Sequence, residues 1–355
     1  MNYFRLFLVP FSLLYGIAVA VRNRLFDHGI LKSKKFDVPI ISVGNITVGG
    51  TGKTPHIEYL AQLLQKKFRV GVVSRGYKRK TKGFVLAGKK STPSDIGDEP
   101  FQVYKKFDKI ALAVSENRVE GISKLLKKKK KTRAVLLDDA FQHRYVLPGL
   151  SIVLIDYNRP VFSDFLLPAG NLREGISALK RAQVVIVTKS PKTLTSNDTG
   201  FWQKRLRLLP SQHLFFSTME YGSLEPVFGK KHLYKNPGQL KRHNVQVLLV
   251  TGIANPRPIE GYLSGFGIGC QLVRFPDHHN FTRADIDKIR KQFSGLKAEQ
   301  KIILTTEKDA VRMIHLQGFP KKIKPFCYYL PVKVKFANDT AEQFNRLILD
   351  YVVSQ

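Results

Sequence analysis

Thr47-Val48-Gly49-Gly50-Thr51-Gly52-Lys53-Thr54 stands between an apolar run, Pro39-Ile40-Ile41-Ser42-Val43, and a helix-compatible stretch from His56 to Lys67. Strand, glycine-rich turn and helix in that order bring backbone N–H groups and a positive helix end onto an anion. Each residue type has a task in that chemistry. Gly49, Gly50 and Gly52 let the backbone approach phosphate oxygens, Lys53 reaches the β- and γ-phosphates, and the Thr54 hydroxyl serves Mg²⁺. Thr47 stands where the usual pattern carries glycine, so the reading leans on the order of elements as much as on the motif. The sequence predicts a loop, Thr47 to Thr54, that holds a nucleoside triphosphate.

Further apolar runs closed by small or polar residues extend the same pattern: Val70-Gly71-Val72-Val73-Ser74, Ile110-Ala111-Leu112-Ala113-Val114, Ala134-Val135-Leu136-Leu137, Ser151-Ile152-Val153-Leu154-Ile155 and Val184-Val185-Ile186-Val187. Runs of this length read as strands buried on both faces, and the stretches between them, such as Arg118 to Lys131, read as helices. The expected class is α/β: a P-loop-containing, doubly wound, mostly parallel sheet with a second, smaller α/β domain. Residues 1–24 form a hydrophobic and basic N-terminal segment, 25–220 the P-loop core, 221–240 a connection, 241–336 the smaller domain and 337–355 a C-terminal helix. The smaller domain is read from Val245–Val250, Gln271–Val273 and Ile302–Thr305, alternating with helical stretches near Ile259–Gly265 and Thr282–Phe293.

The 355 residues carry 59 Lys+Arg against 27 Asp+Glu, a formal charge of +32. Such a chain favours densely anionic partners: nucleic acid, an anionic membrane surface or phosphorylated substrates. No zinc-finger, RNP or basic-zipper pattern is present, and no aromatics interleave the lysine run Lys127–Lys131, so nucleic acid is not the expected partner. That run reads as a solvated loop or as a membrane-facing patch. Leu6 to Val21 is uncharged and strongly apolar. At about 1.5 Å per residue it reaches about 24 Å, short of the roughly 30 Å hydrocarbon core, and Pro10 and Gly16 weaken it as a spanning helix. A monotopic anchor flanked by Arg22, Arg24, Lys32, Lys34 and Lys35 is the expected reading, and an ordinary buried N-terminal helix is its rival. Signal-peptide cleavage after Ala20 is set aside, because a nucleotide-binding chain would find no ATP in the periplasm. Cys270 and Cys327 form neither a metal pair nor a disulfide framework, which fits a reducing cytosol.

Carboxylates supply the remaining chemistry. Asp138 and Asp139 follow the run Ala134–Leu137, where P-loop proteins place a residue that contacts the metal or its water. Gly97-Asp98-Glu99-Pro100 sets two carboxylates at a turn before a helix, one a candidate base and the other a metal or water ligand. Phe275-Pro276-Asp277-His278-His279 places two imidazoles ahead of a helix. Neither Thr188-Lys189-Ser190-Pro191 nor Thr306-Glu307-Lys308-Asp309 supplies the Asn-Lys-x-Asp element of guanine recognition, so ATP is expected rather than GTP.

Together with Ser74-Arg75-Gly76-Tyr77, Asp138-Asp139-Ala140-Phe141-Gln142-His143, Leu167-Pro168-Ala169-Gly170-Asn171-Leu172-Arg173-Glu174 and Thr251-Gly252-Ile253-Ala254-Asn255-Pro256, these blocks resemble the tetraacyldisaccharide 4'-kinase family over roughly residues 40–310. The resemblance implies transfer of the ATP γ-phosphate to an acylated glucosamine disaccharide 1-phosphate at the cytoplasmic face of a bacterial inner membrane. It implies Asp98 as base with His278 as its partner. It further implies Lys53 on phosphate, Thr54 on Mg²⁺, and Glu99, Asp138 and Asp139 as metal and water support. Arg75, Gln142, His143, Asn171, Arg173 and Glu174 fall in blocks that line the family's site. Ala140 departs from the family's usual glycine. A membrane-associated P-loop ATPase acting as a switch or chaperone for a protein partner is the alternative.

Overall fold

The computed structural model describes residues 7–229, 231–277, 279–316 and 318–355. In chain order the first eight strands are β1 (Ile40–Asn45), β2 (Val70–Ser74), β3 (Val85–Leu86), β4 (Ala111–Val114), β5 (Ala134–Asp138), β6 (Leu150–Asp156), β7 (Val184–Thr188) and β8 (His213–Tyr221). They are followed by β9 (Glu225–Pro226), β10 (Gln246–Thr251), β11 (Cys270–Arg274), β12 (Lys301–Thr306), β13 (Cys327–Leu330) and β14 (Val332–Phe336). The chain forms two compact units. One holds the stretch up to Ser91, Val103–Met219 and Val334–Gln355, and the other holds Thr92–Gln102 and Glu220–Lys333.

The first unit is built on a nine-stranded sheet in the order β14-β8-β7-β6-β1-β5-β2-β4-β3. Pairing is parallel from β8 through β4, with β3 antiparallel on β4. The β1 strand, buried at every position, is central, with β5 on one side and β6 on the other. The chain reverses its direction of travel across the sheet at β1, and loops after its carboxyl end open onto the crevice where such sheets bind ligands. Val43 pairs with Asp138 in the β1–β5 ladder, so the acidic pair emerges beside the loop that follows Asn45. Gly44 allows this closeness: a Cβ there would lie 2.6 Å from Phe141 Cβ.

The second unit carries the five-stranded order β11-β10-β12-β13-β9, parallel except for the β13–β9 pair. Both faces of its sheet are covered. Leu248 and Val250 pack with Phe275, Ile286 and Ile289, whereas Val247 and Leu249 pack with Ile259, Leu263 and Tyr328, the alternation that a twice-covered strand requires. Thr92–Gln102, which the sequence places inside the larger core, groups here with the second unit. Asp98 pairs with Arg312 at 2.6 Å, Glu99 pairs with Lys308 at 2.7 Å, and Phe101 meets His315 edge-on.

The N-terminal helix runs from Val9 to Asp27, and residues 1–6 of the expected anchor, Leu6 included, lie outside the described residues. One stripe of it is stitched to the first unit. The Ser12 hydroxyl donates to Leu166 O and accepts from Ala169 N, Tyr15 donates to Arg173 O, and Asn23 donates to Glu174. At Gly16 a Cβ would come 2.8 Å from Leu166, so the glycine sets how closely helix and loop approach. The remaining surface leaves Phe7, Phe11, Leu13, Leu14, Ile17 and Val21 exposed, which is not how a buried N-terminal helix looks. No helix among the described residues is long and apolar enough to cross a membrane. The lysine run lies elsewhere. Lys128 ends the helix Arg118–Lys128 and Ala134 begins β5, so Lys129–Lys131 sit at the amino ends of the strands. The helix is held by residues beyond their carboxyl ends.

Candidate functional site

The loop after β1 is shaped by where its carbonyls go. Lys189 Nζ donates to Gly50 O at 2.7 Å, the Thr188 hydroxyl to Thr51 O at 2.9 Å, and His56 Nδ1 to Gly52 O at 2.8 Å. In a trans peptide the N–H points opposite the preceding C=O. Pinning the Thr51 and Gly52 carbonyls therefore turns the amides of Gly52 and Lys53 to the other side, at the start of the helix Lys53–Leu64. Positive φ at Gly49 (96°) and Gly52 (87°) permits the turn, and a Cβ at Gly52 would collide with Met219. Val48 N donates to Asn171 O at 2.8 Å. Thr47 bridges Leu172 as an extended residue, which explains why a side chain is tolerated where the common pattern has glycine. Thr51 is fully buried, its hydroxyl accepting from Asn45 Nδ2 at 3.0 Å.

Beside this cradle stands a mixed-charge cluster. Asp139 lies 3.5 Å from Lys53 and 3.2 Å from Arg173. Burial alone would raise its carboxyl, but Lys53 and Arg173 outweigh burial and hold it below the usual carboxylate range. The left-handed turn is taken by Asp139 itself (φ 48°), while Ala140 packs into the core with Ile40, Val73 and Leu137. The Ala140 methyl is thus accommodated, because the left-handed conformation falls on the residue before it. Asp138 accepts from the Ser74 hydroxyl at 2.9 Å. A hydroxyl at Thr54 in the first helical turn and carboxylates at the end of a neighbouring strand are the hard oxygen donors that Mg²⁺ takes together with phosphates and water. Among the described residues no three His, Cys, Asp or Glu converge as a self-sufficient metal cage.

Several contributors were not singled out in the sequence. Arg118 is buried beneath the acidic pair, and its guanidinium donates to the carbonyls of Ser115, Glu116 and Asp139. Asp156 ends β6 and anchors Lys189 at 2.6 Å, with Arg159 at 3.5 Å. The Arg159 guanidinium passes 3.1 Å from where a Gly49 Cβ would stand. His56 is wholly buried between Gly52 O and the Ser217 hydroxyl at 3.1 Å. Since Gly52 O can only accept, Nδ1 carries the proton and Nε2 accepts from Ser217. Burial, only partly opposed by the Gly52 hydrogen bond, lowers its pKa from 6.5 to about 4. His143, which the sequence did single out, is likewise pushed to about 4 by burial and by Arg118, Arg22 and Arg75, and its Nε2 accepts the Arg118 amide.

A model of the tetraacyldisaccharide-1-P 4'-kinase family matches residues 4–352. The chain belongs to that family. It is 49% identical over 351 residues to the tetraacyldisaccharide 4'-kinase of Bacteroides thetaiotaomicron, covering 97% of this chain and 92% of the relative. Identity is 48% over 349 residues to that of Phocaeicola vulgatus, covering 97% and 94%. The crystal structure of the "apo" form of LpxK from Aquifex aeolicus in complex with ATP superposes with a TM-score of 0.75 at 31% identity, covering 98% of this chain and 99% of that one. Membership makes the chain a kinase with a hydroxyl acceptor and gives no support to the switch or chaperone alternative.

Within this family member, the blocks quoted from the sequence divide into two groups. Lys53, Asp139 and Arg173 converge, with Asp138 alongside. Gln142 Nε2 donates to Asn45 O and the Gln142 backbone carbonyl accepts from Arg22, placing the residue between β1 and the N-terminal helix. Arg75 is exposed at the end of β2. Two other residues brace their loop. The Asn171 side chain donates to Asp164 at 2.9 Å, and Glu174, 2% exposed, pairs with Arg181 at 2.8 Å. Asp98 and Glu99 belong to the second unit. His278 lies outside the described residues, whereas its neighbour His279 contacts Asp285 at 2.8 Å and stacks on Phe275.

Two outcomes are expected. Lys189→Met, which frees the Gly50 carbonyl, should weaken nucleoside triphosphate binding by about tenfold, in line with loss of a charged hydrogen bond; unchanged affinity in titration calorimetry would refute the pinning role. An imidazole with a folded pKa of about 4 against 6.5 is protonated first in the unfolded chain, so stability must fall as pH drops from 6.5 towards 4. His56→Gln should shrink the difference between the urea midpoints at pH 7 and pH 5, and an undiminished difference would show that His56 does not contribute.

Proposed function

We propose that the protein transfers the γ-phosphate of ATP to the 4'-hydroxyl of a tetraacylated glucosamine disaccharide 1-phosphate, yielding lipid IVA and ADP. The observation that carries this reading is the pinned phosphate loop beside Asp138 and Asp139, in a chain that matches the family from residue 4 to residue 352. The loop amides and the helix end bind the β- and γ-phosphates, and Lys53 follows the γ-phosphoryl as its charge spreads. Arg173 adds a second cation, drawing on the same Asp139 that balances Lys53. Mg²⁺, bound with the triphosphate, neutralises charge on the phosphoryl oxygens, and Thr54, Asp138, Asp139 and Glu99 are the residues that would hold it or its waters. His56 and His143 stay neutral at cytosolic pH, so neither adds charge to the cradle.

Asp98 is the residue we assign to accept the proton of the 4'-hydroxyl, with His278 as its partner. Phosphoryl transfer in line with the leaving oxygen then requires that hydroxyl and γ-phosphate be held together, which positions reactants rather than forming a covalent intermediate.

The acceptor's acyl chains place the reaction at a lipid surface, the cytoplasmic face of the bacterial inner membrane in this reading. Phe11, Leu13, Leu14 and Ile17 are exposed on the N-terminal helix, and Arg24, Lys32, Lys34 and Lys35 are exposed beyond them, a distribution suited to an anionic interface.

Asp98→Asn should lower kcat by about a hundredfold or more while the ATP dissociation constant stays within about twofold, as removal of a general base does; label from γ-labelled ATP entering the acylated disaccharide at near wild-type rate would end the assignment. Leu14→Glu combined with Ile17→Glu should release the protein from phosphatidylglycerol-containing vesicles without lowering its melting temperature. Continued co-sedimentation would remove the helix from the interface.

A further inference from the structure

Arg312 belongs to no motif assigned above, yet it ties together the motifs of the second unit. Its guanidinium is 5% exposed and is divided between two aspartates. Nε and Nη2 both donate to Asp98 Oδ2, at 2.8 and 2.6 Å, and Nη1 donates to Asp309 Oδ1 at 3.0 Å. Asp309 is fully buried and is itself saturated by hydrogen bonds. Its Oδ2 accepts from Gly252 N at 2.9 Å and from the Thr306 hydroxyl at 2.7 Å. Burial, though partly offset by those bonds and by Arg312, raises the Asp309 carboxyl. A Cβ at Gly252 would lie 3.1 Å from Asp309 Oδ1, 3.3 Å from Pro276 O and 3.4 Å from His279 Cβ, so Pro276 and His279 pass against the same point. Asp98, Gly252, Thr306 and Asp309 are thus joined around one arginine.

A buried ion triad is weak evidence for stability, since well-packed apolar side chains often serve as well. What the arginine supplies is direction. Its planar fork holds one carboxylate oxygen from two nitrogens, a restriction that a lysine ammonium cannot reproduce. Sharing the guanidinium with Asp309 anchors it from behind, so the fork cannot swing with the Asp98 side chain.

We propose that Arg312 is the positioning residue for Asp98: by fixing Oδ2 from two nitrogens it sets the plane of the carboxylate that receives the proton of the acceptor hydroxyl. This rests on the assignment of Asp98 as base, and the test separates the two. Steady-state kinetics on the full chain, with ATP, Mg²⁺ and acylated disaccharide 1-phosphate, would compare Arg312→Met, Arg312→Lys, Asp98→Asn and the double variant Asp98→Asn with Arg312→Met.

Arg312→Met should lose about tenfold to a hundredfold in kcat, the scale of a misplaced catalytic group, with KM for both substrates within about threefold. Arg312→Lys should recover only part of that loss, and in the Asp98→Asn background the methionine should cost nothing further. Wild-type kcat in folded Arg312→Met, full recovery with lysine, or additive losses in the double variant would each overturn the proposal. Should Arg312→Met fail to fold, the lysine variant alone decides, because it keeps the charge and lacks the fork. If Asp98→Asn retained wild-type turnover, the base assignment would fall, whatever Arg312 does.

Discussion

A loop that aims N–H groups at a polyanion has to dispose of the carbonyls that face the other way. In this protein the disposal is explicit: Lys189, Thr188 and His56 each take one carbonyl of the segment Gly50 to Gly52. Two of these come from the end of β7 and one from the loop's own helix, so the cradle is fixed from both sides. The arrangement is possible only because β1 lies deep in a parallel sheet whose neighbours end at the same level, which lets side chains from β5, β6 and β7 reach one loop. The Thr51 carbonyl is buried, and without a partner it would cost about 1 to 3 kcal/mol, so its donor decides the loop's conformation as well as supporting it.

Charge is handled with similar economy. Asp139 sits among Lys53, Arg173 and Arg118, and Asp156 sits between Lys189 and Arg159. Each carboxylate lets cations gather close to where phosphate is expected without leaving them mutually repelled. Histidines in the same neighbourhood are desolvated and neutral, with His56 committed to one tautomer by an acceptor that cannot donate. The +32 formal charge therefore reflects the surface far more than the cradle, where positive groups are matched by acids.

Much of this was readable in advance. Strand-loop-helix order located the glycine-rich turn between β1 and the helix Lys53–Leu64, the apolar runs identified β1, β2 and β4 to β7, and the acidic pair falls at the end of β5 as its position after Leu137 implied. Other parts were hidden for physical reasons. The β8 strand opens on a histidine and carries Ser217, Thr218 and Glu220, so it lacks the apolar continuity of its neighbours. Side chains that act by reaching distant backbone leave no local period: Lys189 and Gly50 are 139 residues apart, and Arg312 and Asp98 are 214 apart. Asn171 and Glu174 look like site residues in sequence because they sit in a distinctive block. Their side chains secure that block to Asp164 and Arg181, contacts that no local pattern announces.

The segment from Leu166 to Glu174 has two neighbours that are usually considered separately. On one side Asn171 O receives the Val48 amide and the Arg173 amide donates to Ile46 O; on the other, Ser12, Tyr15 and Asn23 of the N-terminal helix hold its backbone and Glu174. The helix is consequently no detachable handle. A protein shortened by this helix would take the Ser12 hydroxyl from the Ala169 amide and slacken the strip against which the glycine-rich loop rests. Trimming the amino terminus and keeping that strip in place are then competing demands on the same nineteen-residue helix.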